Sequence, residues 1–431
     1  MNLPPSEYRS GVSIMKVHHV RRVGLGEVTG WRDGALTVSA DEARDLLAAP
    51  CLARVDVTWA SPGDPVRIVK VLDVVEPRTK GPGGAGIFPG WLASGPEAPA
   101  GPAVTHVLRG AAVVVAGYLP RAQEAVIDMT GPAAPLSPFG STHNLVVEFT
   151  PAADADWADV DDALRRGSLA LAARLAEAAL GAPPDEEETL PDPAAVDELP
   201  RVATITNLQT QGVFKDVFVR GTSFNGRPPT LIDPAEIDDG AVVSGQFGHP
   251  SLRNPTWVHQ NHPVVQALRA RHGRDLAFAG VVLSPEPVSA ADKASVSAAA
   301  AQLCAEQGFD AVILTKEGGG NADADMALKM DALEDLGITA IGLFAEMAGP
   351  DGTGPPIVVA PERATAMVST GNYDTRLSLP EMERALGGDE LALLGVPATS
   401  AMDLPTAVIL AALSPLGWGR LTCSPPATGI V

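Results

Sequence analysis

The sequence predicts an α/β protein with two unlike halves: a β-rich N-terminal domain, either a barrel or a sandwich, and a doubly wound α/β domain with a mainly parallel sheet. Residues 14–150 contain short Val-rich runs separated by Gly and Pro, which is typical of strands and turns. From Arg201 onward, continuous apolar runs alternate with helical periodicity, which favours a parallel sheet covered on both faces. Residues 182–200 carry seven acidic residues, five prolines and no basic residue, and predict an exposed linker.

The N-terminal half is predicted from five strand-like runs and one helix. The runs are Ala35–Val38, Ala53–Thr58, Val66–Val75, Ala112–Ala116 and Asn144–Phe149. Leucines at helical spacing between Asp156 and Gly181 predict an amphipathic helix that ends at the glycine. We therefore divide the chain into a β-rich domain (1–152), a connecting helix (153–181), the acidic linker (182–200) and the α/β domain (201–431).

In the α/β domain, strands and helices are expected to alternate. The expected strands are Val202–Leu208, Leu276–Leu283, Ala311–Thr315 and Ile338–Phe344, and the runs Val358–Ala360 and Ala366–Thr370 follow them. The expected helices are Asn261–His272, Ala290–Glu306 and Asp323–Leu336. Such domains bind ligands beyond the carboxyl ends of their strands, so functional residues are expected in the loops at that edge.

Composition excludes several classes of function. Among 431 residues, 31 are basic and 52 acidic, and a net charge of −21 argues against binding to nucleic acid or to an anionic membrane. Cys51, Cys304 and Cys423 are widely spaced and form no CxxC pair, so neither a disulfide framework nor a zinc ribbon is indicated. The start of the chain lacks a signal-type apolar core, and no apolar run is long enough for a membrane span. A cytoplasmic protein is expected.

The first candidate site is Thr315–Asp325, with the sequence TKEGGGNADAD. It follows a buried strand and opens a helix, where backbone N–H groups and the helix dipole favour an anion. Consecutive glycines allow a ligand to approach the backbone, and Asp323 and Asp325 could instead receive an ammonium group or a metal. The alternative is structural: Asn321 or Asp323 caps the helix and the glycines make the turn.

The second candidate is Ser244–His262, a polar segment with three histidines, His249, His259 and His262. Their spacing matches no zinc pattern, so no metal is expected. Neutral histidines that bind a substrate or the backbone are the favoured interpretation.

A third segment, Ile127–Asn144, is interpreted as structural turns. Cys304 lies on an apolar helical face and is interpreted as an inert core residue.

Several motifs, in order along both halves, resemble the proprotein of the α and β subunits of component B of glycine, sarcosine and betaine reductases, and more distantly the D-proline reductase proprotein. The matching stretches are Val75–Lys80, Phe88–Trp91, Ile127–Gly131, Ser137–Phe139, Leu208–Gly212, Pro229–Gly245, Val258–Val265, Arg271–Leu283, Gly318–Asp325 and Ser369–Asp374.

The resemblance implies a proprotein that cleaves itself in its second half, where a cysteine becomes a pyruvoyl group. That ketone forms a Schiff base with the substrate amine, and a selenocysteine of a separate subunit attacks the carbon and releases the amine. The chain departs from this pattern in SGQFGHPS, Ser244–Ser251. Phe247, preceded by Gln246, stands at the pyruvoyl-forming position and offers no nucleophile for an acyl shift. Ser251 could substitute, but Pro250 precedes it, so we expect an uncleaved chain without a pyruvoyl cofactor.

A quaternary amine such as betaine forms no Schiff base, so the scaffold can serve a substrate without the ketone. The substrate residues that the resemblance implies lie in the glycine loop and the facing loop: Gly318, Gly319, Asn321, Asp323, Asp325, His259 and Asn261. Gln246, Phe247, His249 and Ser251 occupy the region of the family's reactive centre.

Three functions follow as hypotheses. The first is a subunit of an oxidoreductase complex that cleaves a C–N bond of a small amino-acid-like or N-substituted amine. Its expected partner is a selenoprotein-B-like or cysteine-containing subunit in an oligomeric assembly. The second is a non-catalytic binding or scaffold protein, and the third a repurposed biosynthetic enzyme that uses the loop Ser244–His262.

Overall fold

The computed structural model describes residues 13–81, 86–92, 104–120, 122–190, 196, 198–210, 216–245 and 249–413. It is a mixed α/β protein, as predicted, and its largest sheet has six mostly parallel strands. No closed barrel forms among these residues. None of the helices in these ranges is long and apolar enough to cross a membrane.

The N-terminal half contains two four-stranded sheets. The first has the order Glu186–Leu190, Ser13–His19, Val104–Arg109 and Arg78–Lys80. The second has the order Leu52–Ala60, His143–Pro151, Ala111–Ala116 and Val71–Val75. Smaller sheets are built from Arg22–Gly26, Ala35–Ser39 and Gly30–Arg32, and from Ile127–Asp128, Val66–Ile68 and Arg384–Leu386. The single run expected over Val66–Val75 is therefore two strands, which part at Lys70, a residue with φ 52°.

Two helices cover the N-terminal sheets. Ala40–Leu47 begins after Ser39, whose side chain accepts from the N–H of Glu42, and Trp157–Glu177 begins after Asp156 in the same way. The longer helix contacts strands of both four-stranded sheets and buries its leucines against their valines. The connecting helix expected from the leucine spacing is thus present, and it ends four residues before Gly181.

The acidic segment expected to be a linker is partly a strand. Glu186–Leu190 pairs antiparallel with Ser13–His19 and becomes the edge of the first sheet. Basic residues of the next two strands pair with its carboxylates: Lys16 lies 3.5 Å from Glu187, and Arg109 lies 2.5 Å from Glu188. The strand is mostly exposed, as its charge requires, but its backbone is held in the sheet.

The C-terminal half is built around the six-stranded sheet. Its order is Thr230–Ile232, Ala277–Glu286, Arg201–Gln209, Ala311–Thr315, Thr339–Glu346 and Ala366–Asn372, and only the first strand is antiparallel. Ala290–Glu306 and Asn321–Asp335 cover one face, and Pro263–Arg271 covers the other, so the sheet is doubly wound. Val358–Ala360 forms no strand, and the N–H of Val358 donates to Asp323 instead.

Short elements complete both halves. They are the helices Pro234–Asp238 and Thr256–Gln260, the 3-10 helices Ala134–Leu136, Pro138–Ser141, Pro250–Leu252 and Thr406–Val408, and the strands Phe218–Val219, Thr222–Ser223, Val242–Val243, Arg376–Leu379, Glu390–Leu391, Val396–Pro397 and Met402–Pro405. After the six-stranded sheet the chain returns to the N-terminal half, where Arg384–Leu386 pairs with Val66–Ile68. One apolar core runs across both halves and includes Val74, Phe139, Trp257 and Leu283.

Candidate functional site

Buried charges gather where the parallel strands end. Arg201–Gln209, Ala277–Glu286 and Ala311–Thr315 are adjacent and parallel, so their carboxyl ends lie side by side. Glu317 is fully buried just beyond the third of these strands. Its carboxylate accepts hydrogen bonds from the N–H of Gln209 at 3.0 Å and of Asn254 at 3.3 Å. Glu317, which follows the strand Ala311–Thr315, therefore links the end of the strand Arg201–Gln209 by hydrogen bonds to the loop that precedes the helix Thr256–Gln260.

Glu286, the last residue of its strand, is the second buried carboxyl group. The N–H of Glu317 donates to its Oε1 at 3.4 Å, and its Oε2 has no hydrogen-bond partner. Burial, together with the nearby carboxylates of Asp325 and Glu317, raises the pKa of Glu286 to about 8. The buried surroundings of Glu286 therefore favour its neutral, protonated form at pH 7.

The glycine loop passes close to this pair. Gly318 has φ +72°, and a Cβ there would lie 3.2 Å from the side-chain amide of Gln209. A Cβ on Gly319 would lie 3.1 Å from the sulfur of Met347 and 3.7 Å from the ring of Tyr373. A side chain at either position would require the neighbouring side chain to shift by a few tenths of an ångström.

The two predicted aspartates are both buried and both engaged. Asp323 accepts from the N–H groups of Gly320 at 3.1 Å and Val358 at 3.2 Å, and its Oδ1 lies 2.6 Å from Nζ of Lys316. Asp323 thus caps the helix that begins at Asn321, an exposed residue. This arrangement matches the structural alternative weighed for the segment, and it leaves Asp323 few free acceptor positions.

Asp325 lies deeper and contacts two lysines. Its Oδ2 receives a hydrogen bond from Lys293, and its Oδ1 lies 3.7 Å from Nζ of Lys329. Burial raises the pKa of Asp325 and lowers the pKa of Lys329, so the low-dielectric surroundings favour the neutral forms of both groups. The carboxylate of Asp325 and the ammonium of Lys329 also act electrostatically on buried Glu286.

The histidine segment contributes three residues to this region. His259 is buried, with Nε2 3.5 Å from Oε1 of Glu317. His249 is exposed and stacks on Tyr373, with ring centroids 4.9 Å apart and an interplanar angle of 27°. Ser251 is buried, and its Oγ has no hydrogen-bond partner. Gln246 and Phe247 lie outside the described residues.

Asn261 and His262 lie away from this cluster. Asn261 faces the N-terminal half, where its Nδ2 donates to Glu76 at 3.1 Å and its Oδ1 accepts from Arg78 at 2.9 Å. The Nδ1 of His262 accepts from Val265 in the next helix. Burial lowers the pKa of His262 to about 3, so it is neutral and structural. The structure thus brings His259, His249 and Ser251 to the glycine loop and leaves Asn261 in a hydrogen-bond network between the halves.

Buried polar atoms without a hydrogen-bond partner concentrate around Glu317. Among the described residues they include Oδ1 of Asn207, Oε1 of Gln209, Oγ1 of Thr210, Oγ of Ser251, Nε of Arg253, Oδ1 of Asn254, Oγ of Ser284 and Oε2 of Glu286. A buried polar group without a partner costs about 1–3 kcal/mol, so these atoms need hydrogen-bond partners from ordered water or from a polar ligand. Both acceptors and donors are present in this set.

The residues of this region can be compared with those that a metal ion or a pyruvoyl group would require. In the part of the chain that the structure describes, no group of three or more His, Cys, Asp or Glu residues is arranged to hold a metal ion. Of the described cysteines, Cys304 is buried in the helix Ala290–Glu306, and Cys51 bonds to the carbonyl of Asp159 in the N-terminal half. The segment Ser244–His262 contains no cysteine, so it does not fit a cysteine-derived pyruvoyl group.

Sequence reasoning did not single out several residues of this cluster. Glu286 and Glu317 do carry a recognisable signal, because each is a charged residue at the end of a continuous apolar strand. Lys293 and Lys329 are buried on helical faces that look solvated in sequence. Arg253 gives no local signal, since its burial depends on packing between the two halves.

Comparison with known proteins identifies the relatives of this fold. The chain matches the family described as glycine/sarcosine/betaine reductase component B subunits over residues 13–402. It is 35% identical over 417 residues to the glycine reductase complex component B subunits alpha and beta of Peptoclostridium acidaminophilum, covering 94% of this chain and 97% of the relative. No solved structure matches it significantly.

Two further relatives come from the same organism. The sarcosine reductase complex component B subunit alpha is 34% identical over 375 residues, which cover 85% of this chain and 87% of the relative. The betaine reductase complex component B subunit alpha is 30% identical over 433 residues, with 94% and 97% covered. The resemblance inferred from the motifs is confirmed, and the chain belongs to the family of glycine/sarcosine/betaine reductase component B subunits.

Proposed function

We propose that this protein is the substrate-binding subunit of a reductase complex and that it works as one uncleaved chain. Its substrate is a small amino-acid-like or N-substituted amine, which it presents to a thiol- or selenol-bearing partner subunit. Family membership supports the reductase role, since relatives are named for complexes that act on glycine, sarcosine and betaine. The alternatives are a non-catalytic scaffold and a repurposed enzyme.

The observation that carries the proposal is the set of unpartnered polar atoms around Glu317. Oδ1 of Asn254 and Oε1 of Gln209 are buried acceptors on residues whose N–H groups already bind Glu317. Each such atom lowers stability unless ordered water or a ligand satisfies it, and a substrate amine would supply the N–H donors that these acceptors lack. Selection for binding a small polar molecule accounts for their presence.

The uncleaved state is supported by the residues at the expected cleavage region. Phe247 has no nucleophilic side chain, and the segment holds no cysteine. Beyond it, the N–H of Ala411 donates to the carbonyl of Pro250 and that of Leu413 to the carbonyl of Ser251, each at 3.0 Å. These bonds hold the Pro250–Ser251 peptide against the last described segment of the chain. Without a ketone, the chain binds and orients the substrate, and the partner's thiolate or selenolate attacks the carbon as the C–N bond breaks and the amine leaves.

Mass spectrometry of the denatured protein tests the uncleaved state. We expect one species at 44.4 kDa. Two fragments that meet between residues 246 and 251 contradict this part of the proposal, and a blocked amino terminus on the second would indicate a pyruvoyl group derived from another residue.

Reconstitution tests the reductase role. Purified chain and partner subunit are incubated with a dithiol reductant and with glycine, sarcosine or betaine, and release of ammonia, methylamine or trimethylamine is measured. We expect amine release from at least one substrate, dependent on both proteins. Calorimetric binding of a substrate without amine release favours a scaffold, and the absence of both binding and release excludes the proposed role.

A further inference from the structure

Arg253 is a buried arginine without a carboxylate partner. Its side chain is 2% exposed, and its Nη2 donates to the carbonyl of Val71 at 2.9 Å. Its Nε is buried without a hydrogen-bond partner, and no ion pair of Arg253 is present among the described residues. Burial lowers the pKa of Arg253 to about 10, which still leaves the guanidinium charged at neutral pH.

The other deeply buried arginines of the described chain each have an acidic partner. The pairs are Arg67 with Asp128, Arg78 with Glu76, Arg165 with Asp161 and Arg269 with Asp238. A buried charge that lacks such a partner is destabilising by several kcal/mol. Arg253 is therefore the exception among these arginines, and its Nε is left without an acceptor.

The nearest carboxylates are already engaged. Asp73 accepts from the N–H groups of Val74 at 2.8 Å and Thr256 at 2.9 Å, and from the hydroxyl of Thr256 at 2.6 Å. Glu317 accepts from Gln209 and Asn254. Neither lies within 4.0 Å of the guanidinium, so both moderate its charge from a distance without binding it.

Unpartnered groups flank Arg253 along the chain. Oγ of Ser251 and Oδ1 of Asn254 are buried without hydrogen bonds. The N–H of Asn254 donates to the carboxylate of Glu317. The carbonyl of Leu252 accepts from the N–H of Gly318 at 3.4 Å, so the segment lies against the glycine loop. The guanidinium of Arg253, which lacks an anionic partner, is thus next in the chain to Asn254, whose buried Oδ1 lacks a donor.

We propose that Arg253 binds the carboxylate of the substrate and directs its amine toward the acceptors of Asn254, Gln209 and Glu317. This inference rests on the proposed function and deepens it, because it restricts substrates to amines that carry a carboxylate. Parallel N–H donors of a guanidinium match the two oxygens of a carboxylate. A phosphate suits the site less well, since a single arginine among several carboxyl groups would have to offset a dianion.

Matched ligands and variants test the role of Arg253. Calorimetry compares betaine with choline, and glycine with methylamine, in wild type and in Arg253→Lys and Arg253→Met. We expect the wild type to bind the carboxylate-bearing ligand of each pair more tightly than the other. Both variants should bind that carboxylate-bearing ligand about 10–100-fold more weakly than the wild type does. Their affinity for the ligand without a carboxylate should change less than threefold. Arg274→Lys, at an exposed arginine, is the control and should bind as the wild type does.

Thermal unfolding separates binding from folding. Arg253→Met removes an unpaired buried charge, so its melting temperature should equal or exceed that of the wild type while binding is lost. Arg253→Met that keeps full affinity for the carboxylate ligand overturns the inference and leaves the proposed function intact.

Acetate provides a probe that does not depend on the proposed function. If the wild type binds none of the amines, the proposed function fails. Stabilisation by acetate of the wild type but not of Arg253→Met would then still support a carboxylate site, and equal behaviour of the two proteins would overturn it.

Discussion

Glu286 and Glu317 lie side by side at the carboxyl edge of the sheet, where the N–H of Glu317 donates to Oε1 of Glu286 at 3.4 Å. Two backbone N–H groups hold the carboxylate of Glu317, whereas Oε2 of Glu286 has no partner. The two neighbouring acids thus have different hydrogen-bond surroundings, and burial raises the pKa of Glu286 to about 8. In the proposed reductase, the neutral Glu286 is the group that can donate a proton near the bound amine.

Glu286→Gln should remove a dependence of stability on pH. The pKa of Glu286 rises from its usual 4.5 to about 8 on folding, so the folded state binds the proton more tightly. Its contribution is fully present below pH 4.5 and is lost as the pH rises toward 8, by up to about 1.4 kcal/mol per pH unit. Urea unfolding at several pH values should show wild type losing stability relative to Glu286→Gln over that range. Glu381→Gln, at an exposed position, should follow the wild type, and parallel curves for wild type and Glu286→Gln would contradict the prediction.

The alternation of strands and helices was predictable because buried parallel strands and amphipathic helices leave distinct periodicities. Ala290–Glu306 and Ala311–Thr315 have the predicted bounds. The pairing of strands was harder to predict. Glu186–Leu190 is too acidic to look like a strand, and its carboxylates pair with Lys16 and Arg109, which are distant in the sequence. Such long-range ion pairs leave no local pattern.

The candidate site was predictable only in part, for the same reason. The glycine loop and Asp323 follow a strand and begin a helix, a local arrangement that the sequence displays. Arg253 lies in a polar loop, and its burial follows from contacts such as its hydrogen bond to Val71, which is 182 residues away. Tertiary packing decides whether a charged residue is buried. The buried charge of Arg253 therefore could not be predicted from the residues around it in the sequence.

Gly90→Ala should destabilise the contact between the two halves. Gly90 has φ +82°, and a Cβ there would lie 1.9 Å from the carbonyl oxygen of Arg220, so backbone must move. We expect a loss of about 2–4 kcal/mol, from overpacking and from the unfavourable φ together. Gly226→Ala is a matched control, since Gly226 has φ +67° but no atom within 4 Å of its would-be Cβ. Melting temperatures of the two variants should therefore differ clearly, and equal values would mean that the turn at Arg220 moves freely.

Arg67 joins the N-terminal half to the last described part of the chain. Its guanidinium is fully buried and bonds to both carboxylate oxygens of Asp128, at 2.6 and 3.0 Å. It also donates to the carbonyls of Pro380, Ala398 and Ser400, at 2.9–3.0 Å. Asp128 lies in the segment interpreted from sequence as structural, and this network accounts for its burial.

Arg67→Met should destabilise the protein by about 3–5 kcal/mol, because it leaves Asp128 buried without a counter-charge and three buried carbonyls without a donor. Urea unfolding measures the loss. Arg54→Met is the control, since Arg54 forms a largely exposed pair with Asp56 at 2.5 Å, and a surface pair contributes at most about 1 kcal/mol. Asp128→Leu combined with Arg67→Met should recover part of the loss but not all, because the carbonyls of Pro380, Ala398 and Ser400 still lack their donor. Full recovery would mean that the ion pair, and not the anchoring of the returning chain, is what Arg67 contributes.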